Sequence, residues 1–339
     1  MLIAMPRPLL QRVPVAHHEA GYSLIELLVV MAIMMTVSGI VMTGVADATK
    51  SQRTMSNRVQ MHAGVRSATE LLQQEVGQAG RTVLPGTTPP TLTATVNAAA
   101  TTATLSSVAG IFVGERLVID PGSFDQTTQT SNEETVVVSA VDTGTNTITI
   151  SRSVDAADAT IQASFVKTHA SGTPVRVYGG FASGVVPPGM TNGSTGTVLK
   201  LYGDVNGDGN MVYVEYTCDV TTGNLYRNSM PFDATSKPAV SASKVLLENI
   251  QANPDNTACF TYMPNPLPTV GANAFVLDVA ITLTVRTQIK DPTTGQYQTE
   301  TKSLLNVSPR NVFHVWQLAS AGMNNRVQPI PPTVTALLP

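Results

Sequence analysis

The hydrophobic pattern changes character three times along the chain. From Leu24 to Val45 the residues are apolar apart from Glu26 and a few small or hydroxyl side chains. That run is about the length of one helical membrane crossing. Beyond it the apolar positions thin to Val65, Ala68, Leu72, Val76 and Ala79, with Arg66, Glu70, Gln74 and Gln78 elsewhere on the surface. Spacing by three and four residues makes a single stripe along a helix. No proline or turn cluster interrupts the two patterns, although Gly39 and Gly44 weaken the span locally. Gly80 stands where a helix-terminating glycine belongs, and Pro85 follows. The spacing therefore predicts one helix from Tyr22 to about Ala79.

From Thr87 onward the composition shifts to Thr, Val, Ser and Gly, and the period falls to two. Short runs ("TATLSSV", "ERLVID", "ETVVVSAV", "NTITIS", "TPVRVY") separated by turn residues predict a β-rich module over 91–178. It is similar to small β modules of bacterial surface proteins, either a passive elaboration or an adhesive insert. A second set of strands follows over 195–310: "TVLKLYG", "MVYVEYTCD", "GNLYRNS", "KVLLENI" and "FTYMP". The clearest is "AFVLDVAITLTVRTQIK". Phe275, Leu277, Val279, Ile281, Leu283, Val285 and Ile289 share one face, and Asp278, Thr282, Thr284, Arg286 and Lys290 the other. The turn "DPTTG" returns it into "QYQTETKSLLNVS" as a hairpin. One apolar sheet face is then available to the helix stripe, which predicts an α+β fold: a long N-terminal helix packed on an antiparallel sheet, with an inserted β-rich module. Residues 311–339 read as a C-terminal segment ending in an irregular tail.

Charge changes this picture little. Only 13% of the 339 residues are charged and the net charge is −3, so no basic surface for direct nucleic-acid binding is expected. The two cysteines, Cys218 and Cys259, lie in no zinc-type cluster. Outside the cytoplasm they read as one disulfide, which would stabilise by roughly 4 kcal/mol in the chain-entropy model; two buried thiols are the alternative.

The order of parts at the N-terminus is informative. A secretory signal places small residues after its apolar core. Here Ala20 and Gly21 precede it, behind a polar leader with Arg7, Arg12, His17 and His18. Gly21, then aromatic Tyr22, then Glu26 as the fifth residue after the glycine resembles the processing signal of type IV pilins and pseudopilins, with Tyr22 where Phe is common. The resemblance implies a leader of residues 1–21, cleavage after Gly21 by prepilin peptidase, N-methylation of Tyr22 and a pilin helix over 22–80, of which 22–46 spans the membrane or lines a filament core. It also gives Glu26 a task. An acid inside a membrane costs about 2.5–3.5 kcal/mol on insertion scales and needs a partner; in pilins that partner is the amino terminus of a neighbouring subunit. Lys50, Arg53 and Arg58 follow the span against the positive-inside bias, so orientation rests on the signal.

The helix end "GVRSATELLQQEVGQAG", together with Tyr-x-Cys followed by Leu-Tyr-Arg, is similar to PilW-like minor pilins. This implies a structural subunit of the inner membrane with a periplasmic globular part. Its partners would be other minor and major pilins and the inner-membrane assembly platform, its destination the pilus tip. A J-type pseudopilin of type II secretion and a membrane-tethered calcium-binding adhesin are the alternatives. "DVNGDGNMVYVE" fits the spacing of a calcium loop, with Asp204, Asn206, Asp208, Asn210 and Glu215 as ligands and Gly209 at the bend. A simple hairpin turn explains the same letters, because "MVYVEY" alternates like a strand rather than starting a helix. His62, His169 and His314 stand in no nucleophile–base motif, and Phe313 and Trp316 read as packing residues, so no enzyme is expected.

Overall fold

The computed structural model describes residues 21–151, 162–270 and 273–337. It is an α+β protein of two compact units that divide after Met55. Leader residues Arg7, Arg12, His17, His18 and Ala20 lie outside the described residues, as do 152–161 of the inserted module.

The first unit is the start of helix α1, which runs Leu24–Gln78. Residues 21–53 are all exposed, and no charged residue occurs between Glu26 and Asp47. The polar side chains of the apolar run turn inward on the helix: Thr36 Oγ1 donates to the Ala32 carbonyl at 2.9 Å and Thr43 Oγ1 to Gly39 at 2.8 Å. Hydroxyls satisfied by their own backbone suit a helix surrounded by lipid. Asp47 and Lys50 then pair at 3.2 Å.

In the second unit the rest of α1 carries the stripe expected from its spacing. Val65, Ala68, Leu72, Val76 and Ala79 are buried, at about 1.5–3 kcal/mol for each large aliphatic side chain. They share one core with residues from two antiparallel sheets. Before those sheets comes the module, with β1 (Thr102–Thr104), β2 (Arg116–Ile119), β3 (Phe124–Asp125), β4 (Thr130–Ser131), β5 (Glu134–Asp142), β6 (Thr147–Ile150) and β7 (Val175–Val177). Five of these form one antiparallel sheet, ordered β1-β6-β5-β2-β7, while β3 and β4 pair as a small hairpin. Its core is its own: Leu92, Leu105, Leu117, Ile119, Val136, Val138, Ile148 and Phe165 cluster apart from the helix.

After β8 (Gly180–Phe181), strands β9 (Val198–Gly203), β10 (Val212–Asp219), β11 (Asn224–Pro231) and β12 (Val245–Glu248) form a meander ordered β12-β11-β10-β9. Strands β13 (Ile250–Gln251) and β14 (Phe260–Met263), the small hairpin β15 (Thr269–Val270) and β16 (Asn273–Ala274), then β17 (Asp278–Arg286) and β18 (Thr299–Val307) follow. β17 takes β13 and β14 along one edge and β18 along the other.

Three expectations are corrected. Ile289 is 62% exposed, because β17 ends at Arg286 and the chain enters its turn. "RNVFHVWQLAS" is helix α2 (Arg310–Ser320), seating Val312, Val315 and Ala319 at helical spacing. The tail is ordered as well. β19 (Val327–Gln328) pairs in parallel with β8, and α3 (Pro332–Ala336) buries Val334 beside Phe181, Tyr202 and Tyr213.

Candidate functional site

At the head of α1, Gly21 to Ser23 are non-helical, and the Ser23 carbonyl accepts the Glu26 and Leu27 amides at 3.0 and 3.1 Å. Helix formation thus begins immediately beyond the Gly21–Tyr22 peptide bond. Tyr22 is 84% exposed, and a Cβ placed on Gly21 would meet nothing within 4 Å. Among the described residues nothing crowds the bond. Glu26 sits in the first helical turn, four residues from Tyr22, where a carboxylate faces the positive end of the helix dipole.

The cysteines are bonded. Cys218 closes β10 and Cys259 precedes β14, so the disulfide staples the meander to the β17 sheet beneath the helix stripe. Tyr262 Oη reinforces the same seam by donating to the Thr195 and Val198 carbonyls at 2.9 and 3.0 Å.

The loop between β9 and β10 does not assemble the five-ligand set. Asp208 accepts Asn206 Nδ2 at 2.7 Å and the Asn210 amide at 2.8 Å, which is how a hairpin turn uses an aspartate. Asp204 is fully buried, takes the Gly209 amide at 3.3 Å and faces Arg81 at 3.4 Å. Glu215 is elsewhere. Opposite Lys200 and Asn228 in the sheet register, it binds Lys237 and Tyr213 Oη, each at 2.8 Å. Two of the three acids are thus matched with cations of the chain itself, a donor set that does not fit a calcium ion. Among the described residues no three His, Cys, Asp or Glu side chains converge as a metal site.

The histidines are dispersed. His62 on α1 pairs with Glu300 on β18. His169 is fully buried in the module, 3.5 Å from Glu134 and 3.3 Å from Asn132. His314 lies on α2.

One functional contact was legible but missed. Glu75 falls between Leu72 and Val76, on the inward side of the stripe, where an acid needs a partner. It is 3% exposed and accepts Tyr216 Oη at 2.6 Å, Arg227 Nε at 3.1 Å and Arg227 Nη2 at 2.5 Å. Burial and the Glu75 charge keep the Tyr216 hydroxyl protonated. The helix is thereby keyed in register to β10 and β11.

Residues 16–42 match the prokaryotic N-terminal methylation motif. The match supports a type IV pilin-like or pseudopilin-like protein, and implies a prepilin-peptidase substrate that assembles with other pilins. It agrees with the local geometry at Gly21 and with an α1 long and apolar enough to cross a membrane, features consistent with inner-membrane anchoring. No curated protein and no solved structure matches the chain.

Proposed function

We propose that this chain is a minor pilin that joins other minor pilins in an inner-membrane priming complex, initiates type IV pilus assembly and stays near the tip. The observation that carries the reading is the methylation motif at residues 16–42, at the head of a helix whose far half is built into a disulfide-stapled β-rich unit. In this reading cleavage after Gly21 frees the Tyr22 amine for methylation. Glu26 then meets the amino terminus of a neighbouring subunit, which offsets the cost of an acid in lipid. The module of residues 91–178 supports a tip position. A separate five-stranded sheet with its own core is bulk that every lattice site would have to accommodate inside a helical fibre, and that a tip accommodates once.

The first test is the N-terminal mass of the protein extracted from its native envelope. A chain beginning at methylated Tyr22 is expected; an intact leader, or cleavage beyond the apolar run, overturns the reading. Deletion of the gene separates fibre types. Loss of surface fibres is expected, whereas unchanged piliation with loss of an exported protein assigns the chain to a secretion pseudopilus.

A further inference from the structure

Alternation along β9 and β10 sends Leu199, Leu201, Val214 and Tyr216 toward α1 and Lys200, Tyr213 and Glu215 to the opposite face. There a compact polar cluster surrounds Asn192, whose backbone φ of 55° holds it in the left-handed region. Lys200 Nζ donates to Asn192 Oδ1 at 2.8 Å, and Lys237 Nζ to the same oxygen at 3.2 Å. Asn192 Nδ2 donates to Tyr213 Oη at 3.2 Å and to the Val334 carbonyl at 2.8 Å. Tyr213 Oη donates in turn to Glu215 Oε2, which also takes Lys237. Asn192 and Lys200 are each 7% exposed, and the bond to Val334 holds Asn192 against α3.

Two ammonium groups on one amide oxygen are more than holding a loop requires. Each member of the cluster stands where acyl transfer needs it. We propose that Lys200 and Asn192 form an intramolecular isopeptide bond, the Lys200 amine displacing the Asn192 side-chain nitrogen as ammonia.

Burial, with Lys237 nearby, lowers the Lys200 pKa and favours the neutral amine, while Glu215 is the neighbouring carboxylate that takes the proton. The Nζ lone pair attacks Cγ. Negative charge develops on Oδ1, where the Lys237 ammonium already stands. Tyr213 Oη, kept protonated by burial and by Glu215, relays a proton to Nδ2. The Nζ–Cγ bond forms and the Cγ–Nδ2 bond breaks. Two protons pass from the Lys200 ammonium to the leaving nitrogen, which departs as ammonium, and one remains on the new amide. No oxidant or co-reactant is consumed. Lys237 and Tyr213 touch the Asn192 amide, and Glu215, opposite Lys200 in the sheet register, is the base for its amine. The product ties the loop before β9 to that strand, on the sheet that also carries Cys218.

Asn192 is followed by Gly193, a pair that can instead close to a cyclic imide with the same loss of mass. The Gly193 amide that would attack is engaged with the Met190 carbonyl at 2.8 Å. The experiment must separate the two outcomes. Full-length protein in detergent is weighed intact and then mapped with trypsin. The expected chain is lighter by one ammonia than the mass calculated for the N-terminus it carries, beyond the hydrogens lost to the disulfide, and trypsin does not cut after Lys200. Lys200→Arg and Asn192→Ala abolish the loss while keeping the disulfide. Glu215→Gln also abolishes it, and Glu215→Asp restores part of it. A wild-type chain at full mass overturns the proposal. So does an ammonia loss that persists in Lys200→Arg or leaves Lys200 open to trypsin.

Discussion

Single side chains in this molecule are most telling where burial and ionisation conflict. Glu75 resolves the conflict by taking Arg227 and Tyr216, and Glu75→Gln would leave Arg227 half-buried without a counter-charge. Removing one partner of such a pair is expected to cost about 3 kcal/mol, against about 1 kcal/mol for Tyr216→Phe, which leaves the ion pair standing. Urea titration of the full chain in detergent, followed through the fluorescence of Trp316, measures both. Glu115 resolves the conflict differently. It is fully buried, one carboxyl oxygen takes only the Phe112 amide at 3.3 Å, and burial holds its pKa well above the ordinary value of 4.5. With the folded value raised, its contribution to stability is fully present below pH 4.5 and is lost as pH rises through the folded value. Glu115→Gln, which keeps the shape and removes the titration, is expected to gain about 1 kcal/mol over wild type at pH 8 and nothing at pH 4. A wild-type advantage at pH 8 would contradict the assignment. Glu26 stood out in the sequence because an acid in an apolar run is conspicuous. Glu75 was equally marked by its place in the stripe. The pairing of Glu215 with Lys237, and of Lys237 with Asn192, was not legible, since these residues are distant in sequence and only the fold brings them together.

Among the elements, α1 was the most readable because fifty-five residues of unbroken pattern outweigh any local ambiguity. Its end shows why the glycine signal is reliable here. Gly80 has φ +84°, its amide donates to the Tyr202 carbonyl at 3.0 Å, and a Cβ on it would stand 2.7 Å from Val312. Gly184 approaches from the other side: a Cβ there would lie 2.2 Å from the Gly80 nitrogen. Gly184→Ala is therefore expected to lift the helix end from the sheet, at about 3 kcal/mol or more. Gly77→Ala, on the same helix with nothing within 4 Å of the new methyl, should instead gain up to about 1 kcal/mol. Thermal unfolding of the two variants side by side checks the contrast, and equal effects would refute the close-approach argument. Strand β17 was legible because Val279, Ile281, Leu283 and Val285 are buried on one face, which enforces alternation, whereas β5 and β10 were marked by their β-branched and aromatic runs. Helix α2 was missed although Val312, Val315 and Ala319 have helical spacing, because the run is short and follows directly on a strand.

For the whole molecule, what the sequence could not show is how the C-terminus fastens the rest. Gln328 is fully buried and reaches back 212 residues, taking the Arg116 amide at 2.8 Å and donating to the Arg116 and Tyr178 carbonyls at 2.9 and 3.2 Å. Gln328→Ala would strand these backbone groups away from water, at about 2–3 kcal/mol. Limited proteolysis should then open the module first, and an unchanged digestion pattern would show that Gln328 does not fasten it. The tail looked irregular because two residues of parallel strand and one helical turn leave no periodicity to read; their order comes from the surface they cover. That coverage has a consequence for folding. Phe181, Tyr202 and Tyr213 take part of their cover from Val334 and Leu337, which lie far along the chain, so burial of these rings waits on a long-range contact. Loss of the segment that carries Val334 and Leu337 would present an uncovered aromatic patch to proteases, so a chain cut before Val334 is expected to be digested faster in this unit.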